Sequence, residues 1–184
     1  MPQDPVDKLI RTIKKDMSNI VRQAPRAVGR IAINFMEDNF EKGGFQNAPG
    51  SVDKWKPRKN DDDPGRGVLI GKQSGKLMKS GKVFKADPSA VIVGVPDNVA
   101  EYAKIHNKGG TVHPAVTDKM RRYAWFRYAR TGEDKWKGLA LTRKRRLTIR
   151  IPQRKFLGNS PELNRRIGAY YIKMFRQKLK GVIR

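Results

Sequence analysis

An α+β fold is predicted by three features of the sequence. Long apolar stripes at helical spacing lie near both ends of the chain, short alternating or β-branched runs lie between them, and Gly- and Pro-rich breaks separate the two. The expected architecture is a small antiparallel sheet packed by long N-terminal and C-terminal helices, with a helical insertion. At 184 residues the chain suits a single domain, because two full cores would each be thin.

The first helix is expected over residues 6–41. Val6, Leu9, Ile10, Ile13, Met17, Ile20, Val21, Ala24, Val28, Ile31 and Phe35 recur at steps of three and four. Asp4 suits the N-cap and Pro5 the first helical position. Pro25 has no backbone donor and predicts a kink or break near that residue, and Gly43-Gly44 ends the helix. Residues 43–75 read as a long loop or arm rich in Gly, Pro, Asn, Asp and Lys, with Trp55 as an apolar anchor and Val68-Leu69-Ile70 as a short apolar patch. Its length exceeds the usual connection, which marks it as functional or mobile.

A hairpin follows, from Leu77–Lys85 and Ser89–Val95 across the turn Ala86-Asp87-Pro88. Asn98 is placed to cap a short helix, Val99 to Asn107, closed by Gly109-Gly110, so that 77–110 forms hairpin and short helix. Residues 114–146 read as a basic helical insertion with helices over Thr117–Arg130 and Asp134–Leu141. Met120, Tyr123, Ala124, Phe126, Trp136, Leu139 and Ala140 are its packing residues. The last portion, 147–184, holds a third strand, Leu147–Ile151, stopped by Pro152, and a helix capped by Ser160 with Pro161 at its first position. Leu163, Ile167, Tyr170, Tyr171, Met174 and Leu179 form the buried stripe of that helix.

Charge narrows the function. Lys and Arg total 41 against 17 acidic residues, a net charge of +24. Residues 119–155 carry fourteen of those bases and two acids, half of the net charge. A field concentrated in this way attracts a polyanion or an acidic protein surface. Arg121, Arg122, Arg127, Arg143, Lys144, Arg145 and Arg146 are the residues expected to face DNA or a protein partner. The run 143–146 has no apolar alternative and belongs in solvent or on a partner. Bases interleaved with Tyr123, Trp125, Phe126, Tyr128 and Trp136 match what nucleic-acid binding asks for, although most of those aromatics sit at core-packing spacing. No helix-turn-helix or zinc-finger pattern is present, so only sequence-independent backbone contact follows.

Composition removes several classes of chemistry. The chain has no Cys, which excludes disulfides, thiolate nucleophiles and Cys-based zinc sites and fits synthesis in a reducing compartment. No apolar run approaches the ~20 residues of a membrane span, and Met1-Pro2-Gln3-Asp4-Pro5 lacks the layout of a signal peptide. His106 and His113, the only histidines, match no metal-binding spacing. Gly71-Lys72-Gln73-Ser74-Gly75-Lys76-Leu77 fails as a phosphate loop: its glycines are too close and Leu77 stands where Ser or Thr would hold magnesium. Asp61, Asp62 and Asp63 lack the alternation of a calcium loop. They read as a solvated turn or, with Trp55, as contacts to a neighbouring subunit. No catalytic, cofactor or metal residues are therefore assigned. A metal-dependent hydrolase built on Asp61–Asp63 and His106 is the distant alternative.

Several segments in order carry a family resemblance: Asn39-Phe40-Glu41, Trp55-Lys56-Pro57, Ile70 through Ser74-Gly75-Lys76-Leu77-Met78-Lys79-Ser80, Val93-Gly94-Val95, Tyr102 through Gly110, and Ile151 through Gly158. Their order and spacing resemble the phage virion-morphogenesis family, which includes tail-completion proteins of Mu-like phages. The resemblance spans roughly residues 35–165. It implies a structural, non-enzymatic protein of the head-to-tail junction, made in the host cytoplasm and incorporated in the virion neck. It also implies a multi-copy homo-oligomeric ring around the DNA channel, in contact with portal, adaptor or tail proteins, and no membrane. The stretch 114–146 is longer than in compact members. A free sequence-independent nucleic-acid-binding protein is the alternative reading.

Overall fold

The computed structural model describes residues 4–58, 67–70 and 75–182. Asp61, Asp62 and Asp63 lie outside the described residues, as does most of the segment tested as a phosphate loop. The fold is α+β, with five α-helices and three two-stranded antiparallel ladders among the described residues. The chain divides into two compact units, residues 1–108 with 153–184, and residues 109–152. The second contains the stretch expected to be an insertion. No helix among the described residues is long and apolar enough to cross a membrane.

In the first unit α1 spans Pro5–Glu41, about 55 Å at the helical rise per residue. Asp4 caps it as expected, its carboxylate accepting from the Val6 N–H at 2.9 Å. The helix is not split at Pro25, which lies buried within it. Burial concentrates in its second half, where Phe35, Met36, Asn39 and Phe40 are enclosed, while Val6, Leu9, Ile10 and Met17 stay exposed. Gly43, at φ +59°, turns the chain out of the helix in the left-handed region that glycine reaches without cost.

The arm expected over 43–75 begins with structure instead of loop. β1 (Gly44–Ala48) and β2 (Ser51–Lys54) pair across Pro49-Gly50. The hairpin escapes the alternation test because Gly44, Phe45 and Gln46 are buried in succession. The next strand is shorter than expected: Met78–Ser80 forms a single 3₁₀ turn, and β3 (Lys82–Asp87) starts after it. Leu77 is buried in the core, and its carbonyl accepts from the Ser80 hydroxyl at 2.7 Å, which holds that turn. β4 (Ala90–Gly94) returns against β3, and the Asp87 carboxylate accepts from the Ser89 and Ala90 N–H groups at 2.9 and 3.0 Å to close the turn. α1 packs on this hairpin and on α5 (Pro161–Val182). Gly29 permits the approach, since a Cβ there would stand 2.8 Å from the Val83 side chain. α2 (Asp97–Lys108) starts one residue before Asn98, the expected cap.

The expected third strand is Ile149–Ile151, β6, but its partner is β5 (Gly110–Val112) and not the β3–β4 hairpin. This ladder belongs to the second unit together with α3 (Asp118–Thr131) and α4 (Asp134–Leu141). Thr117 caps α3 through a 3.2 Å bond from the Met120 N–H. Gly132, at φ +67°, closes the helix by donating its N–H to the Tyr128 carbonyl at 2.8 Å.

Candidate interaction surface

Two groupings of side chains emerge, one internal to the first unit and one on the surface of the second. The internal one is a hub in which distant segments meet. Met36, Phe40, Trp55, Leu77, Ala103 and Phe156 form one buried cluster, with Val95 and Leu157 packed against it. Phe40 meets Trp55 edge-on at 5.4 Å and Phe156 at 5.0 Å between ring centroids. Burial of each such side chain stabilises the unit by about 1.5–3 kcal/mol.

Polar groups fix the segment 154–157 in the hub. The Asn107 side-chain oxygen accepts from the N–H groups of Phe156 and Leu157 at 2.8 and 3.0 Å, while its amide donates to the Leu157 carbonyl at 3.0 Å. Asn39, fully buried, donates to the Phe156 carbonyl at 3.1 Å and accepts from the backbone and side-chain nitrogens of Gln46. Arg154 donates to the carbonyls of Lys56 and Pro57 at 3.1 and 3.3 Å. Trp55, expected at a subunit contact, belongs here instead. It is 8 % exposed, and its indole N–H donates to the Lys155 carbonyl at 2.8 Å.

His106 stands at the margin of the hub, half-buried and edge-on to Tyr102 at 4.4 Å between centroids. Desolvation, with a smaller contribution from the Arg154 charge, holds its pKa below the ordinary value. His113, in the second unit, places its Nδ1 3.3 Å from the Thr148 hydroxyl. No group of three or more His, Cys, Asp or Glu positioned to hold a metal ion occurs among the described residues.

The second unit is built differently. Only Ala124 and Ala140 are buried in it. Tyr123, Trp125, Phe126, Leu141 and Ile149 are each more than two-fifths exposed. Tyr123 and Phe126 were expected to pack inside. The inward face of α3 is the narrow line Met120, Ala124 and Tyr128, flanked by the half-buried Arg121 and Arg127, and Tyr123 and Phe126 fall outside it. The hairpin of α3 and α4 is held instead by polar and cation–ring contacts. Arg121 donates to the carbonyls of Ala140 and Thr142 at 3.0 and 2.6 Å. Arg127 lies over the Trp136 ring at 4.9 Å, Tyr123 meets that ring edge-on, and the indole N–H donates to Glu133 at 2.8 Å. Hydrogen bonds from Lys135 and Trp136 hold the Glu133 carboxyl below its ordinary pKa.

The seven bases expected to face a partner therefore separate. Arg121 and Arg127 are partly enclosed and brace the hairpin, and Arg146 donates to the His113 carbonyl at 3.3 Å. Arg122, Arg143, Lys144 and Arg145 are exposed, and among the described residues their side chains make no hydrogen bond or ion pair. The backbone of 142–147 is nonetheless tied down. Arg121 grips Thr142, the Val116 N–H donates to the Arg145 carbonyl at 2.9 Å, and the Leu147 N–H donates to the Pro114 carbonyl at 2.9 Å. Residues 109–152 hold twelve Lys and Arg against three acids, so the unit has too few carboxylates to neutralise itself. Sequence alone cannot separate brace from free cation, since the acceptors of Arg121 lie nineteen and twenty-one residues away and are main-chain carbonyls. Comparison with family models, with curated proteins and with solved structures gives no match.

Proposed function

We propose that the protein is a structural component of the phage head-to-tail junction, a neck or tail-completion protein without enzymatic activity. It is made in the host cytoplasm and assembles as a multi-copy ring around the DNA channel of the virion. The observation that carries this reading is the second unit, which completes neither its apolar packing nor its charge balance. Trp125, Phe126 and Leu141 lie exposed beside a surplus of bases, as expected of a surface finished by other molecules. A closed ring uses one heterologous interface for every copy, so a single such surface serves the whole assembly. Portal, adaptor or tail proteins are its expected neighbours.

The resemblance to the virion-morphogenesis family gives independent support. Asn39-Phe40, Trp55, Leu77, Asn107 and Arg154 to Leu157, which carry much of it, meet in one hub. Those motifs thus read as the fold's framework, with the partner-facing parts elsewhere. The test is genetic. Removing the gene is expected to leave filled heads and tails unjoined in electron micrographs, and purified particles of the parent are expected to contain the protein with portal and tail components. Normal, infectious, tailed particles without the gene would overturn the reading.

A further inference from the structure

We infer that Arg143, Lys144 and Arg145, with Arg122 beside them, form a prebuilt contact strip for the phosphate backbone of duplex DNA, bound without regard to sequence. The inference rests on the assembly reading for its biological setting and deepens it by naming what one part of the unfinished surface meets. Physically it stands on three features of the second unit. Among the described residues these side chains have no hydrogen-bond or ion-pair partner. The backbone that carries the run is fixed at Thr142 by Arg121, at Arg145 by Val116 and at Leu147 by Pro114. The unit's three acids, Asp118, Glu133 and Asp134, lie on the α3 and α4 helix ends and pair with none of the four.

Each feature bears on the type of ligand. Exposed cations on a backbone already fixed by hydrogen bonds gain by displacing condensed counterions from a dense line of phosphates, with no loop left to order. The same grip of Arg121 on Thr142 delivers the run beside α3, so Arg122 and Arg143 flank one brace. An acidic protein surface is the other polyanion that fits the sign of the charge. Protein interfaces, however, are centred on apolar anchors, and the run 143–146 offers no apolar side chain. Phosphates need only charge at the right place. The exposed Trp125, Phe126 and Leu141 are left to protein neighbours, giving the unit two surfaces with different partners.

The experiment is a salt titration of binding between the purified full-length chain and a fluorescent DNA duplex of random sequence. The logarithm of affinity should fall linearly with the logarithm of salt concentration. The triple variant Arg143→Ser, Lys144→Ser, Arg145→Ser should flatten that slope by about 2.7, about 0.9 per cation removed. The double variant Arg143→Lys, Arg145→Lys should keep the parent slope, because charge and not guanidinium geometry sets it. Single variants Arg143→Ser and Lys144→Ser, each expected to lower the slope by about 0.9, decide the matter should the triple variant lose its helical circular-dichroism signal.

Absence of duplex binding by the parent at low salt would overturn the inference. So would a folded triple variant, or folded single variants, with an unchanged slope. Tighter binding to polyglutamate than to duplex, lost in the triple variant, would overturn it in favour of an acidic protein. None of these results touches the particle assay. A chain without affinity for DNA can still be required for tailed particles, and a chain that binds DNA can be dispensable for them.

Discussion

Asn107 shows how one side chain sets the path of a segment fifty residues away. Its oxygen takes two consecutive backbone N–H groups and its amide returns one bond to the same segment, a complete use of a primary amide. Replacement by Ala leaves those part-buried donors without an acceptor. Asn107→Ala is therefore expected to cost about 3 kcal/mol, a few times the net worth of one ordinary hydrogen bond, because unmet groups incur their full desolvation penalty. Urea unfolding of the full chain measures it. Asn47→Ala, at an exposed position, is the control and should change stability by less than about 0.5 kcal/mol. Equal effects at the two positions would remove Asn107 from this role. His106, one residue earlier, donates nothing comparable: its Nδ1 is buried and has no hydrogen-bond partner among the described residues. The polar work of this motif falls on Asn107.

Between elements, the tie from α5 to α1 and β1 is ionic. Glu162 opens α5, is almost enclosed, and binds Arg165 at 2.7 Å and Arg166 at 2.9 Å; Arg166 also reaches Asp38 on α1 and Gln46 on β1. Hydrogen bonds from Arg165 and then Arg166 lower the Glu162 pKa from 4.5 to about 2. Folding thus favours the ionised carboxylate. Its contribution to stability is complete above pH 4.5 and is lost as pH falls through about 2. Glu162→Gln should unfold at lower urea than the parent at neutral pH, and the gap should close toward pH 2. A gap independent of pH would assign the loss to packing instead of charge.

This element boundary also marks what can be read from sequence. The caps Asp4 and Ser160 are local, since each bonds an N–H two or three residues ahead, and both were legible, whereas Thr117, expected as the first helical residue, is the cap of α3. The helices they open followed from periodicity. β1 was not legible, because Phe45 and Gln46 both face inward and erase the alternation. The partner of β6 was not legible either: nothing in the spacing of 110–112 and 149–151 specifies their register, which the intervening hairpin sets. On the candidate surface, the charge was plain in the sequence. Its division into braces and free cations was not, since it depends on carbonyls that only the folded hairpin presents to Arg121.

The molecule as a whole has two unequal halves in terms of burial. The first unit encloses Ile20, Phe35, Met36, Phe40, Phe45, Trp55, Leu77 and Phe156, whereas the second encloses two alanines. At about 25 cal/mol per Å² of apolar surface, the second unit has little to set against the entropy of ordering its backbone. It is held by Arg121, by the rings around Trp136 and by short ladders, interactions that water reaches and that contribute modestly. The two units should therefore open with different free energies. Native-state hydrogen exchange on the isolated chain is expected to give amides of α3 and α4 protection factors lower by at least about tenfold than those in the second half of α1, corresponding to about 1.4 kcal/mol or more. Uniform protection would mean that the second unit is as self-sufficient as the first. On the proposed function, incorporation into particles should add protection to the same α3 and α4 amides while those around Phe40 hardly change. The contrast would follow from neighbours covering Trp125, Phe126 and Leu141, which are exposed in the single chain. A marginal unit finished by its neighbours also ties stability to assembly: on the proposed reading, opening of α3 and α4 becomes rarer as neighbours pack on them, while the backbone of 142–147 stays fixed by its own hydrogen bonds.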